Sequence, residues 1–126
     1  GGSVEGRTVA VWGLTFKART DDHRDSPAVA IVERLLAAGA HVVAHDPTVV
    51  AMTDLLPSDL ELTADPLEAC SGADALLLLT DWPEFALIDP MAVAEALSTP
   101  SVVDTRGVLD RREWEQAGFD VRSIGR

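Results

Sequence analysis

Positive charge is scarce in this chain: 10 Lys and Arg stand against 21 Asp and Glu, a formal net charge of −11. A surface this acidic repels phosphate backbones and anionic lipid, so neither nucleic acid nor a membrane is expected as partner. Cysteine occurs once, at Cys70, which excludes an internal disulfide. No apolar run is long enough to span a bilayer; that at Ala75 to Leu79 suits a buried strand. No secretory signal opens the chain, and the expected compartment is cytoplasmic. The glycine fingerprint of dinucleotide-binding sheets is also missing. After the first apolar stretch the residues run Trp12-Gly13-Leu14-Thr15-Phe16 instead of G-x-G-x-x-G, so this is not expected to be the main nicotinamide site.

What is present reads as one domain of ordinary globular composition. The 126 residues are 47% hydrophobic and 25% charged, enough for a proper core, with no linker, repeat or low-complexity segment. Gly1-Gly2-Ser3 reads as a cloning remnant ahead of it. Strands and helices alternate. The first strand covers Thr8 to Gly13, and Ser26-Pro27 opens a helix to Ala38, with Val29, Val32, Leu35 and Leu36 on its apolar stripe. His41 to His45 is the second strand, then a short helix near Val49 to Leu55, a weak strand at Leu60 to Thr63 and a helix at Pro66 to Ser71. Asp74 to Thr80 is a continuous apolar run, as in a strand covered on both faces. A helix at Asp89 to Leu97, a strand at Ser101 to Asp104, a helix at Arg111 to Ala117 and an edge strand at Phe119 to Ser123 complete the series. The fold expected is α/β: a doubly wound, mainly parallel sheet of five to six strands in a Rossmann-like three-layer sandwich.

The few cations are unevenly placed. Lys17, Arg19 and Arg24 follow the first strand, and Arg106, Arg111 and Arg112 follow the fifth. In a parallel sheet both loops lie on the carboxyl edge, where ligands bind. This points to an anion site, most simply for a phosphate-bearing ligand. Pairing of these arginines with the abundant carboxylates is the competing account. Other clusters carry less. Asp21-Asp22 beside Thr20 lacks the further oxygens a magnesium site recruits. His41 and His45 share a strand face without a third ligand, and His23 is a loop residue, so no metal is expected. Cys70 has no basic neighbour to activate it and reads as a small core residue.

One long motif is specific. Gly13-Leu14-x-Phe16-Lys17-x-x-Thr20-Asp21-Asp22-x-Arg24-x-Ser26-Pro27 resembles the segment that opens the C-terminal domain of UDP-glucose/GDP-mannose dehydrogenases. Gly39-Ala40, His45-Asp46-Pro47, Thr80-Asp81-Trp82-Pro83-Glu84-Phe85 and Val103-Asp104-Thr105-Arg106 follow in the same order, so the resemblance covers nearly the whole chain. It implies the UDP-binding domain of an enzyme that uses NAD to oxidise the C6 hydroxyl of a nucleotide-linked hexose to a carboxylate. The nucleophilic cysteine and the main NAD-binding domain would lie in missing N-terminal and central domains. A UDP-sugar would then meet Phe16, Lys17 and Arg106, and Arg24 would reach NAD phosphate across a cleft. No catalytic residue is expected in this piece, and Cys70 does not inherit the nucleophile's role. A homo-oligomer is expected only of the complete enzyme. Two other readings stay open: a stand-alone nucleotide-binding or sensing module, and a receiver-like phosphoacceptor domain built on Asp21, Asp22 and Thr80.

Overall fold

A computed structural model describes residues 5–14, 27–47 and 59–123. Six strands form one sheet: β1 (Thr8–Trp12), β2 (His41–His45), β3 (Glu61–Thr63), β4 (Ala75–Leu78), β5 (Ser101–Asp104) and β6 (Asp120–Ser123). Every pairing is parallel and the order is β3-β2-β1-β4-β5-β6. The helices are α1 (Pro27–Ala37), α2 (Pro66–Cys70), α3 (Pro90–Ala96) and α4 (Arg111–Gln116), with a 3-10 helix at Pro83–Leu87 between β4 and α3. The edge strand expected at the chain's end is β6, paired to β5. The helix expected near Val49 to Leu55 lies outside the described residues.

Strand alternation sorts the apolar side chains into two cores. On one face Ala10, Trp12, Leu76, Leu78, Val102 and Val121 pack under α2, α3 and α4. On the other, Val9, Val11, Val42 and Ala44 pack with Ala28 and Val32 of α1. Val29, Leu35 and Leu36 are only half-buried at that core's margin, and Val32 carries the centre of the stripe. The three-layer sandwich is therefore as expected. Short helices are capped by local side chains: Asp65, Asp89 and Asp110 each accept a backbone N–H within three residues. Proline at the first turn of α2 and α3 costs no hydrogen bond there.

β4 is shorter than the apolar run suggests. The strand ends at Leu78, and Leu79 and Thr80 continue as buried chain beyond it, with the Leu79 N–H still donating to the Trp12 carbonyl. The Trp82-Pro83 step then starts the 3-10 helix, which drops Phe85 into the core.

The core beneath the carboxyl edge is aromatic. Trp12 sits between Phe85, at a ring-centroid distance of 5.4 Å, and Trp114, at 6.2 Å edge-on. Trp114 in turn meets Phe119 at 4.8 Å. The Trp12 indole N–H donates to the carbonyl of Pro66 (3.0 Å), so its polar end is satisfied while the ring is fully buried.

Candidate functional site

The register places the strand ends in one row. Thr63, His45, Trp12, Leu78, Asp104 and Ser123 are successive partners across the sheet. The residues just beyond this row form the carboxyl edge. Between β1 and β4 the strand order reverses direction, the place where ligands enter sheets of this kind.

At that reversal the backbones are pressed together. The N–H of Gly13 donates to the carbonyl of His45 (2.7 Å), and that of Leu79 to the carbonyl of Trp12 (3.0 Å). Gly13 has φ of 98°, open to glycine and unfavourable to other residues. A Cβ placed there would stand 1.9 Å from Oγ1 of Thr80, which is buried and has no hydrogen-bond partner among the described residues. Leu14 follows, and its N–H donates to Oδ2 of the fully buried Asp46 (2.7 Å).

The edge does not fit a dinucleotide in its usual position. In such sheets an acidic residue after the second strand holds the ribose hydroxyls. Here the residue after β2 is Asp46, and its carboxylate is buried on the backbone of the β1 loop. The absent glycine fingerprint and the occupied carboxylate agree.

His45 is also buried at this edge. Its Nδ1 lies 3.1 Å from the carbonyl of Thr63 and its ring 6.1 Å from Phe85. Burial lowers its pKa, partly offset by the Thr63 carbonyl and the carboxylates of Asp46, Asp65 and Glu84. A neutral ring donating from Nδ1 fits this setting. The unfolded chain then takes up the proton first, so stability is lost as pH falls below the ordinary value of 6.5. His45→Gln is expected to flatten the fall in Tm between about pH 7 and about pH 5.5. Parallel slopes in thermal melts of the two proteins would contradict this. His41, by contrast, is exposed and pairs with Glu61 at 3.1 Å. No group of three His, Cys, Asp or Glu able to hold a metal occurs among the described residues. Cys70 is fully buried, its thiol pushed up to about 12 by burial, which leaves no thiolate for chemistry.

The cations divide. Arg106 lies two residues past the end of β5, on the edge expected for it, with Nη2 3.8 Å from Oδ2 of Asp81. Both side chains are about half exposed, at 44% and 47%, so the pair is screened and weak. Arg111 instead pairs with Glu115 one turn along α4 (3.1 Å) and lines a shallow depression beside β6. For Arg111 the carboxylate-pairing account holds. Phe16, Lys17, Arg19, Asp21, Asp22 and Arg24 lie outside the described residues. Two carboxylates, Asp46 and Asp104, were not legible as site residues; Asp46 accepts the N–H of Leu14 and Asp104 those of Arg106, Gly107 and Leu109, partnerships that leave no side-chain pattern.

A parallel sheet in the order β3-β2-β1-β4-β5-β6, with its polar groups gathered beyond the carboxyl ends, defines a nucleotide-binding doubly wound domain. A receiver-like domain has a different strand order, so that reading falls. The chain belongs to the UDP-glucose/GDP-mannose dehydrogenase family, as its UDP binding domain, whose family model matches residues 10–111. It is 43% identical over 126 residues to a UDP-glucose 6-dehydrogenase of Rhizobium meliloti, covering 100% of this chain and 29% of that protein. The UDP-glucose 6-dehydrogenase TuaD of Bacillus subtilis is 40% identical, over 99% of this chain and 27% of its own. Among solved structures, the NDP-N-acetyl-D-galactosaminuronic acid dehydrogenase of Methanosarcina mazei superposes with a TM-score of 0.83 at 27% identity. That match covers 100% of this chain and 26% of the other. The chain thus spans under a third of the length of these relatives. Their being dehydrogenases implies a nicotinamide cofactor for the family. No helix among the described residues is long and apolar enough to cross a membrane.

Proposed function

We propose that this domain holds the UDP end of a nucleotide sugar for an NAD-dependent UDP-sugar 6-dehydrogenase, which oxidises the C6 hydroxyl to a carboxylate. The observation that carries the reading is Arg106. It stands on the carboxyl edge of a domain of this family with its side chain half exposed and, among the described residues, only a weak carboxylate contact. Its guanidinium suits a pyrophosphate oxygen, since a planar fork of donors matches that geometry. Phe16 and Lys17, which follow β1 in the sequence, complete the pocket in this reading. Arg24 reaches the phosphate of NAD held by the N-terminal domain of the complete enzyme. The cysteine nucleophile, the NAD site and the oligomer contacts belong to the N-terminal and central domains, and the complete enzyme works in the cytoplasm.

Half a cleft leaves contacts partly solvated, each contributing about 0.5–1.5 kcal/mol. Ordering costs oppose them, so the dissociation constant for UDP is expected on the order of millimolar. Amide NMR shifts on titration with UDP should cluster at Phe16, Lys17 and Arg106 and weaken in Arg106→Ala. NAD⁺ with UDP-glucose should yield no NADH from this chain. Shifts confined to other surfaces would overturn the site assignment.

A further inference from the structure

We propose that Asp104 is the positioning residue of the anion site: its buried carboxylate fixes the loop that presents Arg106. The inference rests on the reading of Arg106 given above. Asp104 ends β5 and is 3% exposed. A carboxylate removed from water must be hydrogen-bonded or it is strongly unfavourable. Here the bonds come from one loop. Oδ1 accepts the N–H of Arg106 (3.0 Å) and of Gly107 (2.9 Å), and Oδ2 accepts the N–H of Leu109 (2.9 Å). The chain from Thr105 to Leu109 is therefore wrapped around a single charged group. Charge-assisted bonds of this kind are stronger than neutral ones and make the wrap stiff.

Thr105 holds the other side. Its N–H (3.0 Å) and its hydroxyl (2.8 Å) both donate to the carbonyl of Leu78, tying the loop to β4. Arg106 thus has a clamped backbone and a half-exposed side chain whose guanidinium, among the described residues, keeps only the 3.8 Å contact to Asp81. That is the arrangement of a cation held ready for an incoming anion.

Helix capping does not account for Asp104. The helix that follows, α4, has its own cap: Asp110 accepts the N–H of Glu113 (3.2 Å). The other acidic caps of the domain, Asp65 and Asp89, are exposed and each accept one N–H. Asp104 alone among these is buried and takes three. Its effect is on the shape of the segment that carries Arg106.

The test is a double-mutant cycle on this chain, read as the dissociation constant for UDP from amide NMR titration. Asp104→Asn keeps the size of the side chain but sets an amide NH₂ against one of the three N–H donors. The expected result is about fivefold weaker binding when Arg106 is present and less than about 1.5-fold when it is replaced by Ala. A merely structural role would weaken both backgrounds equally, and that outcome overturns the proposal. Arg106→Ala with unchanged UDP affinity would instead overturn the reading of Arg106 itself. Should Asp104→Asn not fold, Thr105→Val enters the same cycle, since it removes only the hydroxyl bond to Leu78. About twofold weakening confined to the Arg106 background supports the clamp, and equal effects in both backgrounds refute it.

Discussion

Gly13→Ala is expected to destabilise the domain by about 2–6 kcal/mol, a large part of the stability of a single domain. Two costs add. The backbone at φ of 98° is unfavourable for any residue with a Cβ, at about 1–3 kcal/mol. The new methyl would also meet Thr80 Oγ1 at 1.9 Å and Thr80 Cβ at 2.8 Å, and overpacking of this kind costs about 1–3 kcal/mol more. Movement cannot relieve it cheaply, because the Gly13 N–H is bound to the His45 carbonyl and Leu79 is bound to Trp12. Urea denaturation measures the loss. Thr80→Ala in the same chain removes Oγ1 and should return part of it, leaving the backbone cost. A loss below about 1 kcal/mol would show that the two strand ends are less closely held than this geometry requires.

Trp12→Ala should cost about 3–5 kcal/mol, for a different reason. The ring is fully buried between Phe85 and Trp114, so truncation opens a large cavity at the centre of one core. The Pro66 carbonyl also loses its indole donor. Trp12→Phe refills most of the space and should cost about half as much. Because Trp12 lies one residue before Gly13, the cavity sits directly beneath the carboxyl edge. The alanine variant should therefore lose UDP shifts before it unfolds. Equal stability of the alanine and phenylalanine variants would count against cavity formation as the cause.

The layout of the fold was legible because the chain alternates apolar stretches of two periods. The run at Asp74 to Thr80 reads as a doubly covered strand, and β4 is covered on both faces. Its length was overstated because Leu79 and Thr80 are as apolar or buried as the strand itself, and burial alone does not reveal where a ladder stops. The 3-10 helix at Pro83–Leu87 was missed as an element although Trp82-Pro83 marks its start; five residues carry too little periodicity. The place of Arg106 on the carboxyl edge, just beyond β5, was legible from its charge in an acidic chain. Arg111 shared that signal and proved to be paired along its own helix, since charge placement cannot distinguish a ligand cation from a surface partner. Asp46 and Asp104 act on backbone N–H groups, which every residue but proline has, so nothing in the amino-acid pattern marks their partners.

The buried Asp46 has a bearing on inhibitor chemistry. Compounds shaped like adenosine gain much of their grip on nicotinamide-binding sheets by engaging the acidic group after the second strand. In this domain that group is shielded from solvent and already receives the Leu14 N–H. An adenosine mimic that fits the cofactor site of an ordinary dehydrogenase should therefore pass this edge by. In the reading proposed for Arg106, a molecule offering it a compact dianion would have a foothold here that such mimics lack, which makes the edge a place to seek selectivity over the many enzymes that share its architecture.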